Sequence, residues 1–261
     1  MKARELILYL SCKYDGDWQK LYSAIKYREK VDPDEVDAFA EKFAFPYVTV
    51  IDEDYPPCLK DCFQPPFILF YKGNLKLIKN WRKCITIVGS RDAKPYGIQK
   101  CQEIAADVAK EGYVVVSGLA RGIDTAAMKG AVDLGKAVGV LGTGLGTAYP
   151  SENASLQEAV GQKGLLITEY PQWVGVKREN FPCRNRILAC LSCLTLLGGS
   201  GKSSGTLITA GYAVDQGREV ACLPYRADEG SSNNLLIQTG AALVQNATDV
   251  LDLIRPIRPE K

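Results

Sequence analysis

Between residues 84 and 244, short apolar runs alternate with amphipathic segments, and this alternation limits the fold more than any other feature. The runs lie near 84–88, 113–117, 137–141, 164–168, 193–197 and 219–223, with a last short one, ALV, at 242–244. Amphipathic segments near 95–111, 123–135, 151–161, 184–191 and 205–217 separate them. Runs this short, rich in β-branched residues and apolar throughout, suit strands buried on both faces of a parallel sheet, and the segments between them supply crossover helices. The spacing predicts an α/β fold: a doubly wound, mostly parallel sheet with helices on both faces. ITIVGSR at 85–91 shows one unit. Ile85, Thr86, Ile87 and Val88 predict a strand and Gly89 a sharp turn, and the helix from Pro95 to Glu111 presents Ile98, Cys101, Ile104, Ala105 and Val108 as a packed face.

The first 46 residues have a different texture. Leu6, Ile7, Leu10, Leu21, Ile25, Val36, Phe39 and Phe43 are spaced for short helices, broken at SCKYDGD and at Val31 to Asp34. From Pro46 the runs VTVI (48–51) and FILFY (67–71), separated by proline pairs, predict extra strands ahead of the main sheet. The expected division is a small helical unit over 1–46 and an α/β domain over 47–261.

Composition narrows the chemistry. The formal charge is +2, so a nucleic-acid surface has to be a local patch. With no histidine, imidazole-based nucleophilic catalysis and imidazole metal sites are excluded. The nine cysteines fall mostly in apolar runs, and the CxxC of Cys190 and Cys193 has no second pair at zinc-finger spacing. They are expected to be reduced core residues, with no metal and no cofactor. No apolar run reaches about 18 residues and no secretory leader pattern opens the chain, so the expectation is a cytoplasmic protein without a membrane partner.

Loops at the carboxyl ends of the predicted strands carry glycine with hydroxyls or cations: GSR (89–91), SGLARGID (117–124), GTGLGTAYP (142–150) and GGSGKSSGT (198–206). Four such loops on one edge predict a phosphate-lined crevice where helix amino termini gather unpaired N–H groups. GTGLG lacks the third glycine of a dinucleotide fingerprint, and GSGKSS lacks the leading glycine of a P-loop. Lys202, Ser203, Ser204 and the N–H groups near Gly205 and Thr206 remain suited to a phosphate. In FPCRNR (181–186), Pro182 fits a first helical turn, which places Phe181 just outside and Arg184, Asn185 and Arg186 on the opening turn. An aromatic beside cations, here with Lys177 and Arg178, can grip a single strand by stacking and charge neutralisation. The competing reading makes Phe181 a core residue and pairs the arginines with Glu169 or Glu179.

Taken in order, GSR, SGLARGID, LGTGLGTAYPSEN, FPCRNRILA, SGTLITAGYAVDQGREV and NNLLIQTGAALV resemble the DprA/Smf family of DNA-processing proteins, over residues 46 to about 254. The resemblance implies an extended Rossmann-like domain that binds single-stranded DNA without catalysis, dimerises, and loads RecA recombinase in natural transformation. By motif, the strand-binding positions would be Gly89, Ser90, Arg91, Ser117, Gly118, Arg121, Phe181, Arg184, Asn185, Arg186, Lys202, Ser204, Gly205 and Thr206. The stretch from Asn233 to Val244 would dimerise, through Asn234, Leu236, Ile237 and Leu243. The helical unit over 1–46 is similar to the SAM-like domain of some members. Met128 stands where the family often has histidine, and the sequence stops at Lys261, where many members continue into a winged-helix domain. The alternative is an enzyme of the phosphoribohydrolase class, whose PGGxGTxxE motif residues 198–206 approach. Its glutamate has no counterpart here: Thr209 and Ala210 occupy the neighbourhood and the next carboxylate is Asp215.

Overall fold

The computed structural model describes residues 2–199, 205–229 and 231–255. Three short helices come first: α1 (Ala3–Lys13), α2 (Trp18–Lys26) and α3 (Pro33–Lys42). Asp17 and Asp32 cap α2 and α3 by accepting backbone N–H groups at 3.1 and 3.0 Å, the role for which short acidic side chains are suited. Strands β1 (Tyr47–Thr49) and β2 (Ile68–Gly73) follow as an antiparallel pair. The helices rest on this pair: Ile7, Leu8 and Cys12 pack with Ile68 and Phe70, and Trp18 Nε1 donates to the Pro65 carbonyl at 2.8 Å.

The alternation predicted from 84 onward is present. Strands β3 (Cys84–Val88), β4 (Val114–Ser117), β5 (Ala137–Val140), β6 (Leu165–Thr168), β7 (Leu194–Leu197), β8 (Glu219–Cys222) and β9 (Ala242–Leu243) are all parallel to their neighbours within this series. The crossover helices are α4 (Pro95–Lys110), α5 (Ile123–Ala131), α6 (Ala154–Lys163), α7 (Asn180–Cys190), α8 (Gly205–Asp215) and α9 (Asn233–Gln238), and α10 (Ala247–Ile254) closes the described chain. The sheet order is β1-β2-β6-β5-β4-β3-β7-β8-β9, with β2 antiparallel to β6. From β3 the chain winds outward through β4, β5 and β6, then returns to β7 on the other side of β3. Two cores result. Ile85, Ile87, Val115 and Leu196 pack under α4 and α5, whereas Cys84, Val88, Val116, Val140 and Ile167 pack under α7. The alternation of side chains along each strand separates the two sets.

Two local expectations shift. Ile98 is 36 % exposed, because Gly97 occupies the packed position instead. A Cβ on Gly97 would stand 2.7 Å from the Gly198 carbonyl and collide with the Tyr225 hydroxyl, which itself donates to Gly198 at 2.6 Å. The second shift is at α7, which begins at Asn180, so Phe181 lies inside its first turn and not ahead of it. Eight of the nine cysteines are buried, all are unbridged, and Cys183 is exposed. Met128 is fully buried, and no helix among the described residues is long and apolar enough to cross a membrane.

Candidate nucleic-acid interface

Where a doubly wound sheet reverses its strand order, the loops above the two central strands diverge and leave a crevice. Here the reversal falls between β3 and β7, and a cavity of about 650 Å³ opens there, lined by Gly89, Ser90, Arg91, Phe181, Arg184 and Thr206 among others. A smaller hollow of about 300 Å³, lined by Arg121, Ala148 and Tyr149, shares Arg91, Phe181 and Arg184 with it.

The floor is made of buried polar groups. At Gly89 a side chain is impossible, since a Cβ would lie 2.5 Å from Ile123 Cγ1 and 3.0 Å from the Gly199 carbonyl. Ser90 is held by its backbone: its N–H donates to Gly199 at 2.7 Å and its carbonyl accepts from Ile123 N–H at 3.3 Å. Asp124, 4 % exposed, accepts from the N–H groups of Gly118 (3.1 Å) and Ala120 (3.4 Å) and so shapes the loop after β4. Burial raises its pKa above the ordinary carboxylate range, against the pull of Arg184 and of backbone N–H groups. Arg184 crosses Gly118, donating to the carbonyls of Gly118 (2.9 Å) and Val140. A Cβ on Gly118 would meet its guanidinium at 2.5 Å, so glycine there makes room for the arginine. Asn185 accepts from Arg184 Nε at 3.3 Å and donates to the Gly205 carbonyl at 3.1 Å, joining α7 to the start of α8.

The rim is open. Arg91 is exposed, its guanidinium carbon 5.9 Å from the Phe181 ring centroid, and it forms no ion pair among the described residues. Phe181 is half-buried against Gly142 and tilted at 45° to Tyr149, with the rings 5.2 Å apart. Arg178, also exposed, lines the same cavity. Arg121 is exposed as well, in an ion pair with Glu152 at 2.5 Å. A cation over an aromatic face beside a second ring is suited to a base and its phosphate.

The family model for DNA recombination-mediator protein A matches residues 46–255. The chain belongs to that family. A relative in Streptococcus pneumoniae, DNA processing protein DprA, is 39 % identical over 210 residues, covering 79 % of this chain and 73 % of its own length. The crystal structure of the S. pneumoniae protein superposes with a TM-score of 0.81 at 31 % identity, covering 97 % of this chain and 98 % of that one. DNA processing protein A from Helicobacter pylori, solved for its single-stranded DNA binding mode, aligns at a TM-score of 0.75 and 27 % identity, over 82 % of this chain and 98 % of that one.

Against the positions expected from the family motifs, the structure brings Gly89, Ser90, Arg91, Phe181, Arg184, Asn185, Gly205 and Thr206 to one crevice and Gly118 and Arg121 to the adjoining hollow. Two lie elsewhere. Ser117 is fully buried and its hydroxyl donates to the Ile87 carbonyl at 2.7 Å, because it still belongs to β4. Arg186 turns away from the crevice into a buried bidentate pair with Glu169, both bonds 2.6 Å, and also donates to the Gln64 carbonyl at 2.9 Å and the Cys183 carbonyl at 2.8 Å. Burial opposes its charge, but the adjacent carboxylate outweighs that and raises its pKa. The competing reading of this arginine, a pair with Glu169, is the one observed. Lys202 and Ser204 lie outside the described residues.

In the expected dimer stretch, Asn234 is spent on the backbone N–H and carbonyl of Tyr225, and Leu236 and Ile237 pack on the molecule's own core. Leu243 is 49 % exposed, and Leu235, not singled out from the sequence, is 61 % exposed. Sequence reasoning also passed over Asp124 and Tyr149. Asp124 was legible as the carboxylate of SGLARGID, two residues past the turn glycine; Tyr149 had no signal beyond lying in a strand-end loop. The glycines of GTGLG do not face a pyrophosphate. Gly144 and Gly146 donate to the Val174 and Gln172 carbonyls at 2.8 and 3.2 Å, so that loop is packed on its neighbour.

Proposed function

We propose that the crevice binds single-stranded DNA and that the protein is a non-enzymatic mediator, acting in the cytoplasm as a dimer that loads RecA recombinase onto the strand. The observation that carries this reading is Arg91: exposed, unpaired among the described residues, and set over the Phe181 ring at the sheet's reversal point. That arrangement is suited to neutralising a phosphate while the aromatic pair takes a base, whatever the base. The H. pylori relative, with its single-stranded DNA binding mode, supports the ligand. The absence of catalysis rests on the lining. Its carboxylates are Asp92, on the exposed rim, and Asp124, committed to backbone N–H groups, while buried Thr209 bonds the Gly205 carbonyl at 3.2 Å where the hydrolase motif needs a glutamate. Neither carboxyl therefore stands at the position of the hydrolase glutamate.

Leu235 and Leu243, exposed beside the edge strand β9, support a dimer face. RecA loading is the family's role and is carried over as such. On this reading residues 1–46 are a helical accessory domain, SAM-like, and 47–261 the DNA-binding domain, in keeping with a family match that begins at 46. The test is a titration of single- against double-stranded oligonucleotides at several salt concentrations. Arg91→Ala should lower the salt slope for single strands by about 0.7, the value for one phosphate no longer neutralised. An unchanged slope in both Arg91→Ala and Arg178→Ala rules the crevice out as the strand site. RecA assembly on single strands, with and without the protein, tests the loading role.

A further inference from the structure

The amino edge of the sheet, opposite the crevice, is also basic. Residues 72–83, KGNLKLIKNWRK, hold five cations and no carboxylate. Lys72 pairs with Glu158 and Lys79 with Asp54, but Lys76, Arg82 and Lys83 have no ion pair among the described residues. The chain then enters β3, so Trp81, Arg82 and Lys83 stand at its amino end. Arg218 stands at the amino end of β8, one strand beyond β7. It joins the same cluster: its guanidinium carbon is 3.5 Å from the Trp81 ring centroid, and that of Arg82 is 4.6 Å from it. Lys83 Nζ lies 5.6 Å from the neighbouring Tyr113 ring. Arg218 Nε is buried without a hydrogen-bond partner among the described residues, and Glu219, next in sequence, forms no ion pair with either guanidinium among them.

The two guanidinium groups repel each other across one indole, and no carboxylate among the described residues forms an ion pair with either. We infer that this edge is a second nucleic-acid surface, in which Arg82, Arg218 and Lys83 hold phosphates and Trp81, packed on both cores, fixes the two guanidinium groups. A guanidinium presents its fork to a phosphate and its flat face to a base, so a polynucleotide can use both where an acidic peptide uses only the fork. A five-residue strand at about 3.3 Å per residue separates this edge from the crevice, and the two face opposite ways. One chain would therefore hold two separate segments of strand. This goes beyond the crevice and rests only on the reading that the polyanion in question is single-stranded DNA.

The test counts tetrathymidylate bound per chain by equilibrium dialysis at low salt. Wild type should take up two equivalents. Arg82→Glu with Arg218→Glu should retain one, and Arg91→Glu with Phe181→Ala should retain the other. Lys76→Glu with Lys83→Glu, which leaves the Trp81 packing untouched, serves as the edge variant should the first fail to fold. One equivalent in wild type that both edge variants retain overturns the inference and leaves the crevice standing. Loss confined to the edge variants, with the crevice variant unaffected, supports the edge and refutes the crevice. Polyglutamate bound at the edge in place of a second oligonucleotide overturns the inference in favour of an acidic protein partner.

Discussion

Arg91 and Arg186 meet opposite fates on the two sides of α7. Arg186 is sealed against Glu169, with side chains only 2 % and 8 % exposed, and its guanidinium is spent on the carboxylate and two backbone carbonyls. Arg91 stands in solvent over Phe181, with no ion pair among the described residues. The same residue type thus serves as scaffold in one place and as a free charge in the other, and motif membership does not separate the two. Desolvation does: a buried cation must find its acceptors within the fold, as Arg186 does in Glu169 and Arg184 in backbone carbonyls, whereas an exposed one can wait for an external anion.

The largest effect that would break the comparison is at Glu169. Glu169→Ala leaves Arg186 charged and buried without its partner, and urea denaturation should show a loss of about 3–5 kcal/mol. A loss near zero would mean that Arg186 can reach solvent and belongs with Arg91. Next is Asp124→Asn, which can keep one oxygen for the N–H groups of Gly118 and Ala120, both bonded to the same carboxylate oxygen, but sets an NH2 at the other position, which faces the Gly89 N–H, and should cost about 1–3 kcal/mol at neutral pH. The pH dependence has a definite sign. Because the folded pKa of Asp124 is raised, the protonated form is the one folding favours. Wild type should gain stability relative to the Asn variant as pH falls through that raised value, and the gain should level off below the unfolded pKa of about 3.9.

At the rim the same logic predicts binding effects without folding effects. Phe181→Ala should weaken single-strand binding by about 1–3 kcal/mol while moving the thermal midpoint little, which titration and a melting curve together decide. The smallest effect is at Glu152→Ala. Its pair with Arg121 is exposed on both sides, so the unfolding midpoint should not move measurably. Arg121 is then released, and single-strand affinity at low salt should rise slightly.

The strands and helices from 84 onward were legible because their period and composition are local properties. Ile85 to Val88 cannot rest anywhere but in a buried strand, and Gly89 announces its end. The crevice edge followed from the same pattern, since glycine loops after parallel strands gather on one side of the sheet. The direction of each side chain was not legible. Ser117 looks like a loop hydroxyl, but the strand runs one residue further than the motif implies. Leu236 and Ile237 look like an interface, but α9 turns them onto the molecule's own core and leaves Leu235 outside. Such choices depend on which partner a neighbouring element brings, and Glu169 lies 17 residues from Arg186.

By itself, the sequence determined the layered α/β architecture, the edge of the sheet on which the glycine loops gather, and the family. All three are written in short-range periodicity and in motifs whose spacing is local. The tertiary structure alone decided which cations remain free, because a charge is neutralised by whatever carboxylate folding brings within hydrogen-bonding distance, and distance in space is not encoded by distance along the chain.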